Sequence, residues 1–121
     1  MSDIGTRFAQ ALAAKQEDAL SDLLAPELDF KALTPRKFWE GATPQEAVTV
    51  FFGSWFDPGD RIDELVSVET GTVGARESVT YRLRVTNADG EHDVEQRAYF
   101  DVEDGRIGYL RVLCSGYMPR R

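Results

Sequence analysis

Apolar positions recur at helical spacing through the first half of the chain and alternate in period two through the second. Ile4, Phe8, Ala11 and Leu12 make one helical stripe, and Ala19, Leu20, Leu23 and Leu24 make another that Pro26 interrupts. Leu28, Phe30 and Leu33 then mark a stretch predicted to be a short extended or irregular connection. The sharpest start signal is 43-TPQE-46. Thr43 is placed as an N-cap, Pro44 suits the first helical position, and Glu46 can reach back as the second half of a capping box. The helix it opens runs through Ala47, Val48, Val50, Phe51, Phe52, Trp55 and Phe56 and stops near Asp57-Pro58-Gly59. A segment this apolar around its girth must be covered on several sides.

Runs around 62–70, 73–87, 92–102 and 106–115 alternate, with Gly71, Asp89-Gly90 and Asp104-Gly105 as turns. Helices followed by a four-stranded antiparallel meander form an α+β plan, a single domain over 1–121. The helices must cover the apolar face of the sheet. A slip of one residue exchanges the faces of a strand, so the pattern fixes which side looks inward. Val79, Tyr81, Leu83 and Val85 share the inner side with Val94, Gln96, Ala98, Phe100 and Val102. A two-residue Asp89-Gly90 turn sets Val85 beside Val94, Tyr81 beside Ala98, and Arg84 beside Glu95 on the outer face. The last hairpin has two solutions. A two-residue loop points Tyr109 and Arg111 inward, whereas a three-residue loop, Glu103-Asp104-Gly105, points Leu110, Val112 and Cys114 inward. Burying an unpaired arginine costs several kcal/mol, which favours the second.

The chain has 121 residues, enough for one core. Its 14 basic and 21 acidic residues give a net charge of −7, the wrong field for nucleic acid or an anionic membrane. The one cysteine, Cys114, excludes an intrachain disulfide and suits a reducing compartment. One histidine and one cysteine argue against a His/Cys zinc site. No signal-peptide start and no membrane-length apolar run is present. The expectation is a cytoplasmic protein with neither metal nor cofactor.

The helices, the Trp39-Glu40-Gly41 turn leading into the long helix, and a curved sheet closing on 104-DGRI-107 resemble the nuclear transport factor 2 (NTF2)-like superfamily, in particular its SnoaL-like branch. The resemblance covers about residues 4–118 and is carried by the order and spacing of elements. It implies a cone in which the sheet curls around the long helix and leaves a pocket. Relatives of this kind include ketosteroid isomerases, polyketide cyclases, scytalone dehydratase, limonene epoxide hydrolase and non-catalytic modules, so fold alone does not decide function. The isomerases' oxyanion tyrosine, general-base aspartate and protonated aspartate fall at Phe8, near Ala32 and at Ala98 here. A phenyl ring and two methyls cannot perform that proton transfer. The Asp-Arg-Asp cluster of the epoxide hydrolases is likewise missing, since Asp101, Arg82 and Arg97 alternate onto the outer face.

Candidate chemistry rests on three inward polar residues. His92 could act as a general base near neutral pH, or could be an exposed strand-end histidine. Gln96, an amide on an otherwise apolar strand face, must find a partner in the chain or on a ligand. Tyr81 offers a ring and a hydroxyl to the same space. Trp39, Phe52, Trp55, Phe56 and Phe100 form an aromatic wall that either lines a pocket or fills a core, with Ala98, Leu110, Val112 and Cys114 beneath it. Cys114 lacks an activating base and reads as an inert thiol. The leading expectation is a pocket for a small apolar organic ligand. The alternatives are a cyclase, isomerase or dehydratase using His92, Gln96 and Tyr81, and a dimeric interaction module with a filled pocket. On the outer face, Arg82, Arg97 and Arg111 are expected side by side, next to Thr80, Tyr99 and Tyr109. That composition suggests a homodimer in which partner carboxylates such as Glu77 or Asp101 answer the arginines.

Overall fold

A computed structural model describes residues 3–120. Helices α1 (Ile4–Ala13) and α2 (Glu17–Asp22) precede strands β1 (Leu24–Thr34) and β2 (Lys37–Gly41). Helix α3 (Pro44–Thr49) continues as a π-helical segment, Val50–Trp55. Then come β3 (Arg61–Val73), β4 (Arg76–Asn87), β5 (Gly90–Glu103), β6 (Arg106–Cys114) and the short β7 (Met118–Pro119).

The plan is α+β, but the sheet has seven strands where four were expected. Its order is β2-β1-β6-β5-β4-β3, with β1 parallel to β6 and β7 added to β5. The stretch taken for a connection is therefore an eleven-residue strand. Leu28, Phe30 and Ala32 bury its inner side while Leu33 faces out. Pro26 and the small residues between hide that alternation in the sequence. The supposed Trp39-Glu40-Gly41 turn is strand β2, paired through Trp39 with Ala32.

Local chemistry sets the helix starts. Thr43 Oγ1 accepts from the Glu46 N–H at 3.2 Å, and Glu46 Oε1 accepts from the Ala42 N–H at 2.7 Å, so the capping box forms. Helix α1 lies close against the sheet at Gly5, where an added Cβ would come within 3.1 Å of Val79 Cβ and 3.2 Å of Phe100 Cζ. The helical layer and the inner sheet face close on one core that includes Phe8, Phe30, Phe51, Phe56, Tyr81 and Phe100.

The inner faces assigned to the expected strands are right, but the first two turns fall elsewhere and the last, at Asp104-Gly105 as expected, is two residues long instead of the favoured three. Gly71 lies inside β3 opposite Ser78, and the β3–β4 turn is Gly74-Ala75, with Gly74 at φ 61°. The β4–β5 turn is Ala88-Asp89 instead of Asp89-Gly90, because the Asn87 side chain accepts from the Asp89 N–H at 2.9 Å and tightens the chain one residue earlier. The ladder moves by two residues: Val85 faces His92, Tyr81 faces Gln96 and Arg82 faces Glu95. A shift of two preserves the faces. In the last hairpin Glu103 pairs with Arg106 across a two-residue turn, with Asp104 at φ 55° and Gly105 at φ 77°. The extra residue sits further on, as a bulge at Gly108, so Ile107, Leu110 and Val112 all point inward.

The corrected registers also dissolve the arginine row. Arg97 stands opposite Thr80 and Leu113, Tyr99 opposite Arg111, and Tyr109 opposite Asp101. Arg82 pairs with Glu95 at 2.8 Å, Arg84 with Glu64, Arg111 with Asp29, and Arg76 with Asp101, so Asp101 is engaged within the chain. Edge strand β3 carries two bulges, at Asp63 and Val66.

Replacing Thr43 by alanine removes the acceptor that holds the first turn of α3. Urea denaturation should show a loss of about 1 kcal/mol for Thr43→Ala and almost none for Thr43→Ser.

Candidate functional site

Strand β5 supplies the only two residues, His92 and Gln96, found buried among the described polar and charged side chains. Both point inward, as the alternation predicted, yet they serve different neighbourhoods. Four residues of strand separate them, about 13 Å along the sheet.

Gln96 is the middle of a cross-strand row, with Tyr81 on one side and Cys114 on the other. The Tyr81 hydroxyl donates to Gln96 Oε1 at 2.5 Å, and both residues are 1% exposed. Burial, followed by the nearby Cys114 sulfur, pushes the Tyr81 phenol well above its ordinary range and keeps it a neutral donor. Among the described residues Gln96 Nε2 has no hydrogen-bond partner, and neither has the indole N–H of Trp55, which comes from the opposing helical layer. Two buried donor groups are thus directed into an apolar interior without acceptors. Such a group costs about 1–3 kcal/mol when nothing answers it.

The aromatic wall exists and is closed ring against ring. Trp55 lies 5.2 Å from Phe51, 6.4 Å from Phe30 and 6.1 Å from Trp39, centroid to centroid. Phe8 meets Phe51 at 5.9 Å and Tyr81 at 6.1 Å. Trp39 is half-buried, its N–H donating to Thr34 Oγ1 at 2.9 Å, and Phe52 packs edge-on against Phe51 from a half-buried position. Ala98, Phe100, Leu110 and Val112 floor the interior as predicted, and Cys114 is half-buried at its upper end. Phe8, Ala32 and Ala98, at the three isomerase positions, are all buried and apolar. A surface cleft of about 720 Å³ lies elsewhere, beside Arg76, Tyr99 and Tyr109.

The π-helical segment places Trp55 and Phe56 on the same side of the chain's interior. The Phe56 N–H donates to Phe51 O at 2.8 Å, one residue wider than an α-turn. Segments of this kind are uncommon and concentrate at functional sites.

The periodicity did not single out Tyr117, which closes one end of this interior. Its ring stacks on Phe56 at 6.0 Å and meets His92 edge-on at 5.7 Å. Its hydroxyl lies 2.5 Å from Trp55 O and 2.8 Å from Asp60 Oδ2. Asp60 is fixed in turn by Asn87 Nδ2 at 3.0 Å, while Lys15 Nζ donates to Asp57 O at 2.8 Å and to Asp60 O. Desolvation, then the Asp60 hydrogen bond and charge, drive the Tyr117 phenol far above its usual range. The sequence signal is a glycine beside an aromatic just past a strand end, too common to have been decisive. His92 Nδ1, beneath Tyr117, also has no hydrogen-bond partner among the described residues.

Among the described residues no group of three or more His, Cys, Asp or Glu is arranged to hold a metal ion, and no helix is long and apolar enough to cross a membrane.

No family model matches the sequence, and no curated protein does. Solved structures do. An NTF2-like protein of unknown function from Mesorhizobium loti is 28% identical with a TM-score of 0.65, the match covering 94% of this chain and 89% of that one. A Xanthomonas campestris pv. campestris protein provisionally named a polyketide cyclase is 16% identical at TM-score 0.72, covering 91% and 86%. A limonene-epoxide-hydrolase-like (LEH-like) epoxide hydrolase from M. tuberculosis is 16% identical at TM-score 0.65, covering 93% and 80%. The fold is the one the sequence resemblance implied.

The Tyr81–Gln96 pair can be weighed by a double-mutant cycle. Tyr81→Phe should cost about 1–3 kcal/mol in urea denaturation, since it strands Gln96 Oε1, and Gln96→Leu should cost less, since stranding the Tyr81 hydroxyl is offset by removal of the unanswered Nε2. The double variant should cost less than the sum of the two, by about 1 kcal/mol or more.

Proposed function

Given an NTF2-like fold, we propose that this chain binds a neutral, largely apolar small molecule carrying a hydrogen-bond acceptor, between the π-helical segment and the Tyr81–Gln96–Cys114 row. The observation that carries this reading is the buried Gln96 amide, whose oxygen is engaged by Tyr81 while its nitrogen has no partner among the described residues. The Trp55 N–H adds a second buried donor. A carbonyl or ether oxygen is the complement of such donors, and the surrounding rings favour a cyclic or aromatic frame. No carboxylate, lysine or arginine is buried among the described residues, so a charged ligand would lose its hydration with nothing to replace it. The interior is packed, and a ligand enters by displacing rings. Proton transfer shared by His92, Gln96 and Tyr81 has less behind it, because His92 stands against Tyr117, about 13 Å along the strand from the other two.

A second reading concerns assembly. We propose a homodimer through the outer sheet face, centred on an apolar row in place of the arginines. Phe38, Leu33 and Leu113 are neighbours across β2, β1 and β6, and are 54%, 53% and 48% exposed. Three large apolar side chains side by side on one face form a contiguous patch of the kind that marks protein contacts. Arg97 and Arg111 lie next to it, matching the arginine-rich make-up of interface borders.

Two measurements follow. Cyclic ketones should quench tryptophan fluorescence and bind about tenfold more tightly than hydrocarbons of the same shape, and Gln96→Leu should erase the difference. Equal binding of the two classes, or none, overturns the first reading. Light scattering should give a dimer mass for the native chain and a monomer for Leu33→Glu; a native monomer at high micromolar concentration overturns the second.

A further inference from the structure

Strand β7 is the continuation of β6 along β5, interrupted by one extra residue. Gln96 faces Cys114, the Ser115 N–H donates to Glu95 O at 2.9 Å, and the ladder resumes with Asp93 opposite Met118 and His92 opposite Pro119. The Arg120 N–H donates to Glu91 O at 3.0 Å, so both sides of the interruption are held to the sheet. Gly116, at φ 82°, makes the bend, and an added Cβ there would stand 2.7 Å from Pro35 Cγ in the β1–β2 turn. The result is a bulge that turns Tyr117 inward while Ser115 and Met118 stay exposed.

We infer that Tyr117 is the gate to the interior, swinging out on the Gly116 bulge to admit small molecules to the Tyr81–Gln96–Cys114 row. The inference rests on the binding reading for its purpose but not for its test. Three features carry it. Tyr117 is half-buried and lies over two buried rings, Phe56 and His92, so it stands between solvent and the interior. Cys114 stands opposite Gln96 on the ladder, and its sulfur accepts from the Gly116 N–H at 3.4 Å, so the thiol adjoins both the row and the bulge that carries Tyr117. The latch is also poorly satisfied: one hydroxyl proton faces two acceptors, Trp55 O and Asp60 Oδ2, and can serve one at a time. Strand pairing on both sides of the bulge lets the side chain move without release of the terminus. A local opening of this kind is far less costly than unfolding.

Cys114 is the chain's single cysteine and serves as a built-in reporter. The probe is iodoacetamide, small and neutral, and rates are compared as pH-independent thiolate rate constants. Tyr117→Ala should raise the alkylation rate at least fivefold, with little dependence on urea below the unfolding transition. Tyr117→Phe keeps the stacked ring and loses the latch, and should raise it about twofold. An unchanged rate in both variants, or a rise that only follows global unfolding, overturns the gate. If Tyr117→Ala does not fold, Tyr117→Phe decides. No ligand takes part, so fast alkylation in a protein that binds no ketone would retain the gate and remove the binding reading.

Discussion

The inner faces of β1, β6, β5 and β4 present Phe30, Leu110, Phe100 and Tyr81 to water unless something covers them, and only α1, α2 and the α3–π segment are there to do so. Each such side chain contributes about 1.5–3 kcal/mol when fully buried, so the cover cannot be left partial. Much else is arranged around that demand. Gly5 brings α1 within touching distance of Val79 and Phe100. The wider π-turn lets Phe51, Trp55 and Phe56 all be buried at the end of one short helix. The Gly108 bulge points both Ile107 and Leu110 inward where strict alternation allows only one of them.

An interior built for coverage has little tolerance for polar atoms, which gives Gln96 its weight. A leucine there would extend the apolar floor of Ala98 and Val112. The amide instead orients the Tyr81 hydroxyl, which burial keeps neutral, and leaves its own N–H groups without a partner among the described residues. A buried polar pair of this kind restricts how the core can pack, since most alternative packings would break it. The same pair gives an otherwise uniform interior a direction, with a donor edge at the sheet and apolar rings opposite.

What the sequence disclosed follows from how far each signal reaches. The capping box of Thr43 and Glu46 is a contact three residues long and was fully legible. Strand faces were legible too, because period two is local: Tyr81, Gln96, Ala98, Phe100, Leu110 and Val112 all point inward as expected. Register was not, because a single Asn87 side chain bond moves the β4–β5 turn by one residue and every pairing by two. Strand β1 escaped although β2 folds back on it across a two-residue turn, because its other partner, β6, lies some eighty residues away in parallel, a pairing with no local signature. The arginine row was an error inherited from that register. Tyr117 escaped for a different reason. Its role depends on Phe56 and Asp60, which are far from it in sequence, and on a bulge at Gly116 that shows only once β7 is paired with β5.

The bulges at Asp63 and Val66 bear on how the molecule behaves in a crowd. β3 is a thirteen-residue edge strand, long enough to template strand addition from a neighbouring chain. Two bulges within its first half break the regular run of unpaired amides, and Asp63 and Glu64 add charge there. The opposite edge, β2, is five residues long and begins with Lys37. Both borders therefore carry features that discourage the edge-to-edge strand addition from which fibrils grow.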